Sequence, residues 1–291
     1  SPDGINWTTR TTPVDNNWLS VTWAPELGLL VAVAGSGTGN RVMTSPDGIT
    51  WTTRATPVNN NWIGITWAPE LGLFVAVAGA GVELGAGSGN RVMTSPDGIN
   101  WTTRTSAADN QWNGITWAPE LGLLVAVAYT GTGNRVMTSP DGINWTVRKT
   151  ENQSWWAVCW CPGINIFAAV SSDNAGQQLM TSPDGIVWTT QNTRSNLNNW
   201  SSIVWSPELY RFVAVSYGEI YQILRLDLEK GSSVSNLLFL QELAWTTRTS
   251  AADNWWYDIT WAPELGLLVA VAITGTGNRV MTSPDGINWT T

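Results

Sequence analysis

Short polar loops precede one tryptophan of every repeat in this sequence, and their residue types suit the binding of sugars. The first loop reads Asp15-Asn16-Asn17-Trp18, and the third reads Asp109-Asn110-Gln111-Trp112. Amide and carboxylate groups match sugar hydroxyls, and an indole face packs on the C–H side of a pyranose. The same residues are also typical of turns that lead into a strand. The candidate ligand-binding residues are Asn17, Trp18, Asn61, Trp62, Gln111, Trp112, Trp155, Asn199, Trp200 and Trp256.

A second recurring motif, Ser-Pro-Asp-Gly-x-x-Trp, carries a carboxylate at a fixed position. Its Pro sets φ, its Gly supplies a positive φ, and its Asp can accept hydrogen bonds from backbone amides, so we predict a tight turn covered by the Trp. A calcium loop would need alternating acidic ligands, which the motif lacks. We therefore predict structural aspartates, no metal and no cofactor. The motif begins at Ser1, Ser45, Ser95, Ser139, Ser182 and Ser283, and the structural aspartates are Asp47, Asp97, Asp141, Asp184 and Asp285.

A third motif, Pro-Glu-Leu, places glutamates such as Glu26 and Glu70 at equivalent points of five repeats. We interpret these glutamates as solvated turn residues rather than as a cation site. Cys159 and Cys161 are the only cysteines of the chain. Their spacing on one predicted strand is poorly suited to a mutual disulfide, so we expect two buried thiols.

The composition excludes several classes of function. The 291 residues include 21 Trp and 28 Gly, and 12% of the residues are charged, which is typical of aromatic-packed β-structure with many turns. The net charge of −8 argues against nucleic-acid binding, which needs clustered Lys and Arg. The chain has no His, the commonest general base. No apolar run of the length of a membrane span occurs, so we predict no membrane insertion.

The repeat period predicts the architecture. Tryptophans that close successive turns are separated by 44, 50, 44, 43, 57 and 44 residues, which matches four short strands and their connections. In the first unit we predict strand A at Trp18–Trp23, strand B at Leu29–Ala34, strand C at Arg41–Ser45 and strand D at Trp51–Arg54. Such sheets need neighbours on both faces, and stacking around an axis supplies them, which predicts an all-β fold, the β-propeller.

We expect one propeller domain over residues 1–291, with six four-stranded antiparallel blades and seven as the alternative. The repeat units start near Trp18, Trp62, Trp112, Trp155, Trp200 and Trp256. Residues 1–12 form an extra outer-strand segment that competes with residues 284–291 for one edge of the last blade. The displaced copy would leave an edge strand that can pair with another molecule, which predicts self-association through the terminal strands or a partial blade.

Two units depart from the repeat. The second contains an insertion, Val82–Gly87, which we expect to lengthen its B–C loop. The fifth replaces the usual turn with Ile220–Leu243, where alternating apolar residues predict a longer C–D hairpin with a protruding tip.

The Ser-Pro-Asp-Gly-x-x-Trp motif resembles the Asp-box, the repeat of bacterial neuraminidases, although the family has one residue between Asp and Gly, while Asp97 and Gly98 are adjacent. This resemblance covers nearly the whole chain and implies a propeller. Asp-box propellers include sialidases, other glycosidases, sorting receptors and photosystem II assembly factors, so the resemblance does not imply one activity.

The residues favour a binding function. A sialidase, by the same resemblance, would use an arginine triad and a tyrosine paired with a glutamate, whereas most arginines here recur in every repeat, as packing or turn residues do. We predict a non-catalytic scaffold or protein-interaction/display module. The alternative is a multivalent glycan-binding, lectin-like propeller, and a sialidase-like glycosidase ranks third. Candidate partners are a protein or a glycan.

Overall fold

The structure is a computed structural model that describes residues 1–79, 89–173, 178–191, 199–217, 222–227 and 246–291. Within these ranges the secondary structure consists of β-strands and two short 3-10 turns. The chain divides into two compact units, an N-terminal unit of Thr9–Asn152 and a C-terminal unit of Ser1–Thr8 with Gln153–Thr291. None of the described helical segments is long and apolar enough to cross a membrane.

The first sheet shows how one repeat folds. Its strands run in the order β1-β2-β3-β4, all antiparallel. Both predicted inner strands are confirmed within one residue, and β3 and β4 each start one residue later than predicted. The register pairs Val21 of β1 with Ala32 of β2. The strands are β1 (Trp18–Ala24), β2 (Leu29–Ala34), β3 (Val42–Ser45) and β4 (Thr52–Arg54).

The N-terminal unit contains two further sheets of the same order, so it holds three four-stranded blades. The second blade consists of β5 (Trp62–Ala68), β6 (Leu73–Ala78), β7 (Val92–Ser95) and β8 (Thr102–Arg104), and the third of β9 (Trp112–Ala118), β10 (Leu123–Ala128), β11 (Val136–Ser139) and β12 (Thr146–Arg148). The Val82–Gly87 insertion lies outside the described residues.

The C-terminal unit contains two four-stranded blades and one sheet of three strands. The fourth and fifth blades are β13 (Trp155–Cys161), β14 (Ile166–Ser171), β15 (Leu179–Ser182) and β16 (Thr189–Gln191), then β17 (Asn199–Ser206), β18 (Arg211–Tyr217), β19 (Gln222–Asp227) and β20 (Thr246–Thr249). Strands β19 and β20 pair with each other, while the predicted hairpin tip after residue 227 lies outside the described residues. The last sheet is β21 (Trp256–Ala262), β22 (Leu267–Ala272) and β23 (Val280–Ser283).

The prediction of six four-stranded blades is wrong, and so is the alternative of seven. The described residues form five four-stranded blades, followed by the three-stranded sheet β21-β22-β23. A full outer strand uses three residues after the turn Trp, as Thr52–Arg54 do beside β3. After Trp289 the last sheet gains one bridge, Thr282 with Thr290. Within the described residues this sheet thus has no regular fourth strand.

Residues 1–12 form no strand pairing with the described part of the chain. Ser1–Trp7 nevertheless folds as a turn, because Asp3 accepts hydrogen bonds from the amides of Ile5 and Asn6 at 2.9 and 2.7 Å. This turn lies on β22, since a side chain at Gly4 would meet Leu267 at 3.5 Å and Val269 at 3.6 Å. In the competition for the last blade, the C-terminal copy therefore pairs with β23 and the N-terminal copy does not.

Apolar side chains of strand B and the next strand A form the core between neighbouring blades. Val31 and Val33 of β2 pack in one cluster with Trp62, Ile65 and Trp67 of β5. The opposite side of β6 packs against the third blade, since Val75 and Val77 share a cluster with Trp112 and Trp117, so β6 is buried along nearly its whole length. The expectation that strand B is buried on both faces is thus confirmed for β6.

Candidate functional site

The predicted ligand-binding loops lie at one edge of each sheet, which we call the polar loop edge. It comprises the D–A loops, which lead from strand D of one blade to strand A of the next, and the B–C loops, which connect strands B and C of one blade. Side-chain amides of the D–A loops donate hydrogen bonds to the B–C loops. Asn16 Nδ2 donates to the carbonyl oxygen of Asn40 at 3.0 Å, and Asn110 Nδ2 donates to that of Asn134 at 2.9 Å. Asn254 repeats this contact with Asn278 at 2.6 Å. The recurring asparagine two positions before the strand A Trp therefore serves loop structure.

Charged side chains of the polar loop edge also bond to other residues of the chain. The buried Arg41 donates to the carbonyl oxygens of Gly37 and Asn60 at 2.6 and 2.8 Å. Arg91 Nε lies 2.6 Å from Asp109 Oδ1, and this hydrogen bond lowers the pKa of the Asp109 carboxyl against its desolvation. These contacts hold the B–C loops to the loops of the following repeat.

The candidate binding residues themselves divide into two groups. The side chain of Asn17 is exposed, and those of Asn61, Gln111 and Asn199 are partly exposed. Trp18 is half-buried, while five strand A indoles have no exposed surface: Trp62, Trp112, Trp155, Trp200 and Trp256. Of these, Trp62, Trp112, Trp200 and Trp256 pack between blades of one unit. Ligand binding at these positions stays a prediction, and the structure locates its accessible part on the amide side chains rather than on the five buried indoles.

The aspartates of the Ser-Pro-Asp-Gly motif lie at the opposite edge of each sheet, where strand C turns into strand D. Asp47 Oδ1 accepts from the amides of Thr50 and Ile49 at 2.7 and 2.8 Å and from the Ser45 hydroxyl at 2.9 Å. Gly48 adopts a φ of 69°, which favours glycine. Hydrogen bonds from the Thr50 amide, the Ile49 amide and Ser45 lower the pKa of Asp47 to about 2. These hydrogen bonds of the Asp47 carboxylate therefore all lie within the turn.

Exposed apolar side chains mark this same edge, which we call the apolar turn edge. In an antiparallel four-stranded sheet, the A–B and C–D turns lie at one end and the B–C loop at the other. The isoleucine after each Asp-Gly pair is 36–70% exposed, and leucines of three A–B turns are exposed beside them. These residues are Ile5, Ile49, Ile99, Ile143, Ile186 and Ile287, with Leu27, Leu121 and Leu265. The sequence analysis missed this surface, although the fixed position of the isoleucine was a visible signal.

Two Pro-Glu-Leu glutamates have a structural partner that the sequence analysis did not anticipate. Glu26 Oε2 accepts from Trp67 Nε1 at 2.7 Å, and Glu70 Oε2 accepts from Trp117 Nε1 at 2.6 Å. Each bond joins the A–B turn of one blade to strand A of the next. Both glutamates are exposed turn residues, as interpreted from the sequence, and each has in addition this bond to an indole. The sequence analysis missed the bond because only stacking of the blades brings the indole to the carboxylate.

A polar cluster lies on the A strands of the C-terminal unit, and its residues differ from those of the other repeats. Ser202 Oγ donates to Asp258 Oδ1 at 2.6 Å, and the Ile259 amide donates to the same oxygen at 2.9 Å. Asp258 is solvent-exposed as a residue, yet desolvation of its carboxyl outweighs these hydrogen bonds and raises its pKa. Nearby, Trp156 and Tyr257 meet edge to face at 6.4 Å. Glycine or alanine takes the place of Asp258 in three repeats, and that difference was the signal available in the sequence.

Cys159 and Cys161 form no disulfide. Cys161 is buried, and desolvation raises the pKa of the Cys159 thiol above its usual range. No group of three or more His, Cys, Asp or Glu side chains that could hold a metal ion occurs in the described ranges.

No family model matches the chain, and no curated protein matches its sequence. Solved structures do match. Virginiamycin B lyase from Staphylococcus aureus aligns with a TM-score of 0.73 at 13% identity, over 97% of this chain and 86% of the lyase. YCF48 from Cyanidioschyzon merolae aligns with a TM-score of 0.66 at 15% identity, over 96% of this chain and 86% of that one. The chain is a β-propeller.

A further match of the propeller is a chain of the nidogen/laminin complex, with a TM-score of 0.55 and 12% identity, over 73% of this chain and 76% of that one. Identities at this level show the fold alone. The similar propellers include an enzyme and a member of a protein complex, so the fold leaves both kinds of function open. Function must be argued from the surfaces of this propeller.

Proposed function

We propose that this protein is a non-catalytic propeller of the Asp-box type that serves as a scaffold or protein-interaction module. The observation that carries the proposal is the apolar turn edge, where the same exposed isoleucine recurs in each Asp turn, as Ile49, Ile99 and Ile143 do in the three blades of the N-terminal unit. Exposed apolar surface is typical of protein–protein contacts. Because the pattern repeats from blade to blade, individually weak contacts can add through multivalency.

The recurring polar groups support a structural role for the rest of the repeat. The arginines that close the outer strands donate to threonine hydroxyls, as Arg54 does to Thr44 at 2.9 Å and Arg104 does to Thr94 at 3.0 Å. An arginine triad for a substrate carboxylate would require arginines free of such repeated contacts. This argues against the sialidase-like glycosidase.

The comparison with virginiamycin B lyase supports the same conclusion. A histidine-to-alanine variant of that lyase is described as catalytically inactive. The present chain contains no histidine, so it does not have the residue type on which that activity depends. The nidogen/laminin propeller, in contrast, belongs to a protein complex, which is consistent with a protein partner here.

The alternative function is multivalent glycan binding at the polar loop edge. Asn17 and Gln111 occupy equivalent positions of two blades, and their backbone amides donate to Ser36 and Thr130 hydroxyls at 2.7 and 2.9 Å. These bonds fix the backbone, while the side chain of Asn17 is exposed and that of Gln111 is partly exposed. An array of immobilised glycans tests this function with the full chain and the Asn17→Ala, Gln111→Ala double variant as control.

A pull-down from cell lysate tests the proposed function. The chain is compared with an Ile99→Lys, Ile143→Lys variant of the apolar turn edge and with Thr132→Lys, an exposed position of the polar loop edge. We expect proteins that the wild type and Thr132→Lys retain and the isoleucine variant loses. Equal retention by all three would contradict a binding role for the apolar turn edge. Release of product from a fluorogenic sialoside or other glycoside above the blank rate would contradict the non-catalytic assignment.

Self-association through the terminal strands remains a further prediction. Residues 7–10 repeat the sequence of an outer strand, and within the described residues they pair with no other strand. An unpaired segment of this kind can add to the edge of another sheet.

A further inference from the structure

The apolar turn edge of the N-terminal unit presents the same exposed side chain in each of its three blades. Each Asp turn carries an isoleucine that is 44% to 51% exposed: Ile49, Ile99 and Ile143. Leucines of two A–B turns, Leu27 and Leu121, are 45% and 40% exposed at the same end of these sheets. All five residues belong to one compact unit.

Hydrogen bonds within each Asp turn hold the isoleucine backbone in place. Asp97 Oδ1 accepts from the amides of Ile99 and Asn100, both at 2.8 Å, and Asn100 Nδ2 donates to Asp97 Oδ2 at 2.8 Å. The Asp turn of the third blade repeats all three bonds at 2.7 to 2.8 Å. A side chain on a backbone that is already fixed has less conformational entropy to lose when it is bound.

The same edge of the N-terminal unit carries six acidic side chains. Each Asp turn and each A–B turn contributes one: Asp47, Asp97, Asp141, Glu26, Glu70 and Glu120. The three glutamates and Asp47 are exposed, and the other two aspartates are partly exposed. Desolvation raises the pKa of Asp97, but hydrogen bonds from Asn100 and Ile99 outweigh it and hold the pKa at about 2. This carboxyl is therefore ionised at neutral pH.

The cations of the N-terminal unit lie at the opposite edge. Three arginines directly precede strand C and three others end strand D, which places them beside the B–C and D–A loops: Arg41, Arg91, Arg135, Arg54, Arg104 and Arg148. Lys149 lies in a D–A loop, and Arg10 lies in the segment before β1. Among the described residues of this unit, no Lys or Arg lies at the apolar turn edge. The C-terminal unit differs, since Arg211 opens β18 after an A–B turn and donates to the backbone oxygen of Asp285.

We propose that the apolar turn edge of the N-terminal unit binds a basic amphipathic protein segment, in which Lys or Arg is interspersed with large apolar side chains. This inference rests on the proposed function and names the chemistry of the partner. Exposed isoleucines beside acidic groups of one sign are complementary to such a segment. Charge complementarity also speeds the encounter and disfavours acidic partners.

The apolar side chains of the segment contact Ile99 and Ile143, and its cations lie against Glu26 and Glu70. Each of these glutamates uses Oε2 to accept from an indole of the next blade, at 2.7 and 2.6 Å. A carboxylate has a second oxygen and several acceptor sites, so the same group can also accept from a cation. The indole bonds fix the two carboxylates at the junctions between the blades.

Three synthetic peptides of equal length test the proposal with the full chain. The first combines Lys and Leu in an amphipathic pattern, the second has Glu in place of Lys, and the third has Ser in place of Leu. A fluorescein label on each peptide reports binding by anisotropy. We expect the Lys–Leu peptide to bind at least about tenfold more tightly than either of the others. Its affinity should fall when the salt concentration rises from about 50 mM to about 500 mM.

Two charge variants separate this site from the overall net charge of −8. The Glu26→Gln, Glu70→Gln variant removes two charges from the apolar turn edge and keeps an acceptor oxygen for each indole. The Asp15→Asn, Glu151→Gln variant removes two charges from the polar loop edge, where both side chains are exposed. We expect the first variant to bind the Lys–Leu peptide about threefold or more weakly, and the second to bind it as the wild type does.

A third variant tests the apolar part of the surface. Ile99→Ser with Ile143→Ser should weaken binding of the Lys–Leu peptide about tenfold, because apolar surface is no longer buried. Val147→Ser, at an exposed position of the outer strand β12, is the matched control and should bind as the wild type does. Circular dichroism and melting curves for every variant exclude a loss of folding as the cause.

Three results would overturn the proposal: no binding of the Lys–Leu peptide, equal binding of the Lys–Leu and Glu–Leu peptides, or equal loss of affinity in the two charge variants. The proposed function fails by a different result, namely that the isoleucine variant retains every protein in the pull-down. If that variant loses proteins while the Lys–Leu and Glu–Leu peptides bind equally, the edge is a protein-binding surface and only the basic character of the partner is wrong.

Discussion

Glu26 accepts a hydrogen bond of 2.7 Å from Trp67, a residue 41 positions later in the chain. The bond joins the A–B turn of the first blade to strand A of the second, and Glu70 makes the same bond to Trp117 in the next pair of blades. A charged acceptor and an indole donor thus link blades that share the N-terminal unit. This relationship gives a direct test of how the blades are held together.

Replacement of Glu70 by Ala should destabilise the propeller by about 1 kcal/mol, because Trp117 Nε1 loses a charged acceptor at a partly solvated site. Glu70→Gln keeps an acceptor oxygen and should cost less. Glu264→Ala is the matched control, since Glu264 occupies the same turn position and is likewise exposed, but within the described residues it accepts from no indole. Urea denaturation measures the three free energies of unfolding, and equal losses for Glu70→Ala and Glu264→Ala would show that the hydrogen bond does not stabilise the fold.

Trp101→Ala should destabilise the propeller by roughly 3–5 kcal/mol, because this indole is 9% exposed and covers its turn. Trp7 occupies the same sequence, Ser-Pro-Asp-Gly-Ile-Asn-Trp, but is 52% exposed. Trp7→Ala should therefore change stability by about 0.5 kcal/mol or less. The pair is compared by melting temperature, and a Trp101→Ala variant as stable as Trp7→Ala would contradict the packing role.

Asp97→Ala should cost about 1 kcal/mol, since the amides of Asn100 and Ile99 lose an acceptor that each reaches at 2.8 Å, and partial solvent exposure limits the loss. Asp97→Asn retains one acceptor oxygen, so its stability should fall between those of the wild type and Asp97→Ala. Melting temperatures of the wild type and both variants at neutral pH test this order. An alanine variant that melts with the wild type would show that the turn forms without its carboxylate.

The free energy of unfolding should decrease in acid and should change little around neutral pH. Hydrogen bonds from the Thr50 and Ile49 amides and Ser45 hold the pKa of Asp47 at about 2, below the ordinary value of 3.8. At Asp141, desolvation opposes the shift, but the Asn144 and Ile143 hydrogen bonds outweigh it and the pKa is again about 2. Because the folded pKa is the lower one, this stability is present above the unfolded pKa and is lost as the pH falls from about 4 to 2.

The absence of histidine removes the side chain that usually titrates between about pH 5 and 8. Melting temperatures measured across this interval should therefore change little. A marked slope between these values, or a melting temperature that holds constant down to about pH 2, would contradict the assignment of acid sensitivity to the turn aspartates.

Asp258→Asn should stabilise the propeller at pH 7, in contrast to Asp97→Asn. Desolvation raises the pKa of Asp258, so its ionised form weakens the folded state at neutral pH. Asparagine keeps an acceptor for Ser202 and for the Ile259 amide. The gain should vanish as the pH falls below the unfolded pKa, where the aspartate is protonated in both states. Urea denaturation at both pH values measures it, and a destabilised variant at pH 7 would contradict the shift.

The sequence by itself determined the elements and their period. Strand B reads as a continuous apolar run because its two faces both pack against other blades, and strands β1 and β2 lie within one residue of their predicted bounds. The Asp turn is equally local, because Asp47 bonds amides two and three residues away. Such features depend on residues close in the chain, and a single sequence contains them.

The tertiary structure decided which copies of a repeated residue are buried. Trp7 and Trp101 share an identical motif, yet one is exposed and the other covered, because Trp101 packs against Phe74 of its own blade, whereas residues 1–12 belong to no sheet. Asn16 and Asn17 are adjacent and chemically identical, but one fastens two loops and the other faces solvent. Burial depends on atoms from distant parts of the chain, which the local sequence does not specify. The same reason explains why the number of four-stranded blades emerged only from the packed sheets.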